Sequence, residues 1–417
     1  MKRILIIYPH WPPSNLVGVH RVRLIANEMS DLGWNCTVLT VDERDYEEPG
    51  SPDSIQLIAS EVEVIKVRAH SVQTLFGRRL IGDIGMRGWH ALRKGAQEIL
   101  SKGETDFVWF SIPSWYPSLM GTGLSKRFNV PFGIDYQDPW VYSLADHEKG
   151  LNRAFLTVTM ARLLEPIALR RVRLISGISD GYLSGVRKRY SKLAKLPIVP
   201  CQLGFSPRDH EIELPHFQPP FSQGKRTFVY AGAYWAQGAP LFRLFLEALQ
   251  ELNQAKRLPE DIEFLFIGTG NSALLSLTEQ AKDLNLGGVF REIPERMPYL
   301  EVQQILREAD GALVMGSIEA HYSASKIFQC LIAAKRTFAF FHKQSEGADI
   351  LKACKADDFF TPFDPDWTAE KQHHILAEKL LAFTNATSDW NPDLQPLEKH
   401  SAKHSAQLLI QGIESIA

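Results

Sequence analysis

Cysteine is scarce in this chain: Cys36, Cys201, Cys330 and Cys354 are scattered over 417 residues and form no Cys-x-x-Cys pair. That pattern excludes a zinc finger and a disulfide framework, and it fits a reduced, cytoplasmic protein. Long apolar runs are missing as well. No stretch of about 18 apolar residues occurs, so no membrane span is predicted. The opening Met-Lys-Arg leads into only a short apolar run before Pro9, too little for a secretory leader. An excess of one charge is also lacking. The 46 basic and 48 acidic side chains leave a formal net charge of −2, which argues against a general nucleic-acid binder. Neither a P-loop nor a Ser-His-Asp elbow is found. Asp364-Pro-Asp366 mimics a metal-binding pair, but it sits in a Pro-rich loop near the end and reads as a turn.

What is present is enough apolar sequence for two cores. A length of 417 residues exceeds one ordinary domain. Residues 4–8, Ile-Leu-Ile-Ile-Tyr, predict a central parallel strand. A loop, a helix from about Val19 and a strand over 36–41 follow, a β-loop-α-β order that gives a parallel sheet. Further strands are expected over 62–67, 106–110 and 130–136, and 151–173 reads as a long helix bearing Arg153, Arg162, Arg170, Arg171 and Arg173. A second series begins at 227–231. It continues with helices over about 239–255, 272–284 and 300–308 and strands over 262–267, 288–292, 311–315 and 337–341. Between the two series, 205–225 carries four prolines without periodicity and reads as a linker.

One basic stretch stands apart. Residues 68–94 carry Arg68, Arg78, Arg79, Arg87, Arg93 and Lys94 against a single acid, Asp83, with apolar and aromatic residues interleaved. Such a helical stretch can lie on an anionic membrane, or it can be the solvated face of a packed helix.

The chemistry concentrates over 311–341. An apolar strand runs into a polar loop, Ser323 or Ser325 stands where a helix N-cap belongs, and Lys326 opens a helix. Hydroxyls, a lysine and free backbone N–H groups after a strand make an anion site, with phosphate as its natural ligand. Gly18, His20 and Arg21 form a similar junction after the first strand, and Asp138 ends another strand. Gly268-Thr-Gly270 also fits a dinucleotide fingerprint, with Glu292 at the distance of a ribose acid.

These segments resemble GT-B glycosyltransferases, specifically the large family 4 of nucleotide-sugar enzymes. The match to its Ser-x-Lys-x-x-Glu-(Tyr)-Leu-Ala-x-Gly-(Lys/Arg)-Pro segment consists of Ser325, Lys326, Leu331, Ala333 and Lys335, with Ala334 in place of the glycine and Arg336 in place of the proline. Gln329 replaces the glutamate that holds the donor ribose in that family, and the other member of its glutamate pair falls at about His321. Residues 137–140, Gln-Asp-Pro-Trp, resemble an Asp-x-Arg-Asp-Pro-Trp element, with Gln137 in place of its arginine.

The resemblance implies an α/β fold of two facing Rossmann-like domains with an interdomain cleft. Its parts would be an acceptor domain over 1–204, the linker 205–225, a nucleotide-sugar domain over 226–396 and a helix over 397–417 returning to the first domain. It further implies a hexosyltransferase that moves a sugar from a nucleotide diphosphosugar to a glycan or lipid-linked acceptor in polysaccharide biosynthesis. Transfer would proceed with retention, without metal or cofactor, in the cytoplasm or at the inner membrane face. Asp138, His20 and Lys326 would be catalytic. Donor binding would fall to Gly18, Arg21, Gly232, Gly268, Gly270, Ile293, Ser323, Ser325, Lys326 and Gln329. A GT-B-like protein that only binds, and a nicotinamide-dependent dehydrogenase built on Gly268-Thr-Gly270, are the alternatives.

Overall fold

The structure is a computed structural model. It describes residues 1–75, 78–142, 153–202, 204–271, 273–320, 326–387 and 390–416. The continuous apolar runs become central strands, because a parallel strand covered on both faces has no solvent side. In chain order the first part holds β1 (Lys2–Ile7), α1 (Val17–Glu28), β2 (Trp34–Val41) and β3 (Glu63–Val67). There follow β4 (Gln73–Leu75), β5 (Arg78–Ile81), α2 (Ile84–Arg87), α3 (Trp89–Leu100), β6 (Phe107–Ile112), α4 (Gly121–Phe128) and β7 (Phe132–Tyr136). Last come α5 (Arg153–Ala168), β8 (Leu174–Gly177), α6 (Asp180–Arg189) and β9 (Ile198–Pro200). Among the described residues the main sheet is parallel, in the order β3-β2-β1-β6-β7-β8-β9. Alternation along β1 serves both faces: Ile4 and Ile6 pack with Val22 and Ile25 of α1, and Leu5 and Ile7 with Leu92 of α3.

The second part contains β10 (Arg226–Ala231), α7 (Ala239–Gln254), β11 (Ile262–Ile267), α8 (Leu277–Asp283), β12 (Phe290–Ile293) and α9 (Tyr299–Glu308). It ends with β13 (Gly311–Met315), α10 (Lys326–Ile332), β14 (Thr337–His342), α11 (Glu346–Ala353), β15 (Phe360–Phe363) and α12 (Ala369–Asn385). Its sheet, again parallel among the described residues, runs β12-β11-β10-β13-β14-β15. A phenylalanine-rich core fills it, with Phe228, Phe245, Phe264, Phe266, Phe338 and Phe383 in one cluster. The final helix, α13 (Ala402–Glu414), belongs to the first part. Ser401 caps it, and Ala406, Leu409 and Ile413 join the cluster around Ile4 and Val22. The chain thus forms two compact units, Met1–Ser206 with Lys399–Ala417, and Pro207–Glu398.

Two expectations change on contact with the structure. The basic stretch 68–94 is not a single helix: β4 and β5 pair antiparallel, and helix begins only where Asp83 caps α2 through the Met86 N–H. The prolines after 205 do not make a free tether either. Tyr299 of α9 donates to Asp209 at 3.0 Å, and Arg307 donates to the carbonyls of His210 and Ile212 at 2.5 and 2.8 Å.

Candidate functional site

In an open parallel sheet, ligands gather beyond the carboxyl ends of the strands where the strand order reverses. In the second unit that point lies between β10 and β13. Gly232 follows β10 directly, and the segment after β13 leads to Lys326, the first residue of α10. The lysine Nζ donates to the Tyr230 hydroxyl at 2.9 Å. It also lies 4.9 Å from the centre of the Tyr230 ring and 5.4 Å from that of Trp235. Two aromatic faces therefore hold the cation. Gly232 is what lets it approach, since a Cβ there would stand 1.9 Å from Nζ. Gly238 plays the same part for Trp235, whose ring would be 2.9 Å from an added Cβ.

Among the described residues no carboxylate pairs with Lys326. Burial lowers its pKa from 10.5 to about 8, a shift opposed only weakly by Cys330 one turn on. A desolvated ammonium without a counter-anion is an unfavourable arrangement that an arriving anion would relieve. Ser323 and Ser325 lie outside the described residues.

Gln329, one turn from Lys326, faces His210: its Oε1 is 2.8 Å from His210 Nε2. Burial lowers the His210 pKa, which favours a neutral ring donating from Nε2 to the glutamine oxygen. The Gly-Thr-Gly turn after β11 is closed onto β12. The Gly268 and Gly270 N–H groups donate to the carbonyls of Ile293 and Pro294, both at 2.9 Å, so neither amide points outward. Gly268 needs its freedom, with φ at +75°. Glu292 accepts from Thr269 at 2.5 Å and from both the N–H and hydroxyl of Thr278 at 2.6 Å. The acid that a dinucleotide ribose would need is thus engaged at the start of α8. That helix opens only at Leu277, after a Ser276–Glu279 capping box, and not at the glycines.

In the first unit the candidates separate. Arg21 was expected at the donor, but it is fully buried. Its guanidinium makes a two-pronged pair with Asp135 at 2.8 and 2.7 Å and donates to the carbonyls of Cys201 and Gln202 at 2.8 and 2.9 Å. Asp135 also accepts from Ser111 and Ser176, at 3.0 and 2.7 Å. With every arm used inside the unit, Arg21 is a strut of the sheet and not a ligand contact. Gln137 extends the network by donating to Ser111 Oγ at 2.8 Å and to the Gly18 carbonyl at 3.2 Å. Gly18 is explained by packing, because a Cβ there would stand 2.3 Å from the Tyr8 hydroxyl. His20 is half-buried, with Nδ1 3.5 Å from Arg23 Nη2. Asp138 is exposed, two residues beyond β7.

Sequence reasoning missed Tyr230, Trp235 and His210, which position Lys326 and Gln329. The available signal was aromatic residues flanking the glycine at a strand end, in the run Tyr230-Ala-Gly-Ala-Tyr-Trp235. Among the described residues no group of three or more metal-ligating side chains occurs, and no helix is long and apolar enough to cross a membrane. Lys343 bridges Asp364 and Asp366 at 2.7 and 2.9 Å, which accounts for that acidic pair as a turn.

No family model matches the chain, and no curated protein sequence is similar to it. Solved structures are. A glycosyltransferase from Rickettsia africae aligns over all of this chain and 98% of its own, at 14% identity and a TM-score of 0.54. Anabaena HepE, in complex with UDP and glucose, aligns over the full length of both chains at 13% identity and a TM-score of 0.53. A trehalose-6-phosphate protein of E. coli bound with UDP-2-fluoro glucose covers both chains at 11% identity and a TM-score of 0.56. The fold is GT-B. At this identity the likeness settles architecture alone.

Proposed function

We propose that this GT-B protein transfers a sugar from a nucleoside diphosphosugar to a glycan or lipid-linked acceptor. The observation that carries the reading is Lys326, a half-buried cation held by two rings at the switch point of the second sheet with no carboxylate partner among the described residues. A diphosphate seated there would supply the missing negative charge. In the reaction the bond from the anomeric carbon to the diphosphate breaks, and charge grows on the leaving oxygen. A fixed ammonium stabilises that growth more than it stabilises the ground state. Lys326 would thereby do work that a metal does elsewhere, consistent with metal-free transfer.

Around it, Gln329 braced by His210 would meet a ribose hydroxyl, and Ser323 and Ser325 would add donors to the phosphates. Gly268, Gly270 and Ile293 would shape the wall beside the base. In the first unit, which we assign to the acceptor, exposed Asp138 and half-buried His20 would orient sugar hydroxyls. Retention at the anomeric carbon, a hexose as the transferred sugar and kinship with family 4 belong to the same reading. They rest on the sequence resemblance.

A thermal-shift panel tests the donor class. UDP, GDP and their sugar conjugates should raise the melting temperature, and NADH should not, since only a bound ligand shifts unfolding. Stabilisation by NADH alone would overturn the reading. Release of free nucleoside diphosphate from the stabilising sugar conjugate then separates an enzyme from a protein that only binds.

A further inference from the structure

The outer face of α5 is apolar and uncovered. Leu156, Met160, Leu163 and Ile167 are 57, 49, 62 and 41% exposed. Their spacing of four, three and four residues puts them in one narrow stripe, about 16 Å long at 1.5 Å per residue. The opposite face is fully used: Val158, Ala161, Glu165 and Ala168 are buried against the unit. The apolar residues outside are therefore not a misplaced core face. Exposed large apolar residues are ordinary when single, but four in register along one helix are not.

The exposed charges described along α5 and just after it have one sign. Arg162 on the helix and Arg170 and Arg171 just beyond it are exposed, and among the described residues no ion pair holds them. The only acid on α5, Glu165, is fully buried and accepts from Tyr136, Arg189 and Tyr190. The solvent side of the helix thus presents apolar side chains and arginines without a carboxylate. We infer that α5 docks this protein on an anionic bilayer surface, with the stripe entering the acyl boundary and the arginines meeting lipid phosphates.

Two features favour lipid over protein. Four side chains in a row fall well short of the roughly 20–30 residues a side that a standard protein interface uses. An apolar stripe edged by arginines is also what an interfacial helix needs, because guanidinium groups bind phosphate while the apolar side sinks between headgroups. The basic stretch 68–94, broken into a strand pair and two helices, lacks such a stripe among its described side chains. This surface does not depend on the proposed reaction, although a lipid-linked acceptor would suit it.

Vesicle cosedimentation with the full chain tests the inference. The wild type should pellet with phosphatidylglycerol-containing vesicles, less with pure phosphatidylcholine, and less again at high salt. Met160→Asp with Leu163→Asp should lower the partition coefficient at least about tenfold. Arg170→Glu with Arg171→Glu should lower it about as much and flatten the salt dependence, at roughly fivefold per arginine. All four positions are exposed, so melting temperatures should stay near wild type. Three outcomes would each overturn the proposal. One is no pelleting of wild type above the lipid-free control. Another is unchanged pelleting of the aspartate pair. The third is a dimer in sedimentation velocity that the aspartate pair abolishes while vesicles bind neither protein, which would make the stripe an interface between copies.

Discussion

Lys326 opposes folding and favours binding, and pH separates the two effects. In the free protein its pKa is lowered to about 8 from the ordinary 10.5 by burial. Between those values the unfolded chain holds a proton that the native chain has lost, so stability rises with pH across that window. Lys326→Met should remove this slope and raise the melting temperature at pH 7. It should also weaken UDP binding by about 1.5–3 kcal/mol, the worth of a charge-assisted contact. Calorimetric melts of both proteins from pH 7 to 10 check this; parallel curves would mean the ammonium is hydrated in solution. In the wild type, affinity for UDP should fall as pH rises through about 8, because binding must then recapture the proton. Gly232→Ala is a subtler probe. The three atoms nearest the new Cβ all belong to the flexible end of the lysine. With φ at +159° the added side chain also strains the backbone, so the fold should lose about 1–2 kcal/mol, while UDP affinity drops nearly as far as in Lys326→Met. Titration calorimetry on the folded variant decides, and wild-type affinity would show that the lysine need not sit at the strand end. Asp135→Ala acts the other way. Leaving Arg21 buried without its carboxylate should cost about 3–5 kcal/mol in urea unfolding. A loss below about 1 kcal/mol would contradict the strut role of the pair.

At the level of elements, α13 closes the face of the first sheet formed by Ile4, Ile6 and α1. A chain cut before Lys399 should therefore lose the first unit's urea transition or shift it to much lower denaturant, while the second unit's transition stays in place. Limited proteolysis would show the same order, and an unmoved first transition would mean the helix is a passive cover. The elements were also where sequence reading worked best. Ile4–Ile7, Ile262–Ile267 and Gly311–Met315 are strands because unbroken apolar runs of that length fit only a two-sided parallel sheet. It worked less well where local chemistry overrules periodicity. Apolar spacing alone places the helix after the Gly-Thr-Gly turn at 272–284, but the Ser276–Glu279 capping box starts it at Leu277. The basic stretch 68–94 reads as helix by composition, yet two short segments within it, Gln73–Leu75 and Arg78–Ile81, pair as strands. At the site, the places of Gly232 and Lys326 were legible because one directly follows a strand and the other opens a helix. The burial of Arg21 was not, since its partners Asp135 and Cys201 lie more than a hundred residues away.

For the whole molecule, what matters is that Tyr230, Gly232, Trp235, Lys326, Gln329 and His210 all fall inside Pro207–Glu398. A fragment spanning 207–398 should fold alone and bind UDP within about tenfold of the full chain, while transferring nothing. Isothermal titration of the fragment tests this, and a loss beyond about a hundredfold would mean that the first unit supplies part of the donor site. The same division of the chain has a consequence for synthesis. Domains ordinarily fold in the order in which they are made. Here the first sheet's strands emerge early, but the helix that covers one of their faces begins at Ala402, after the whole second unit. The unit whose sequence starts first is therefore the one that finishes last. Until then the nascent chain carries an apolar sheet face that α1 covers only in part, and a chaperone that shields the rest would have to stay bound while about 190 further residues are translated.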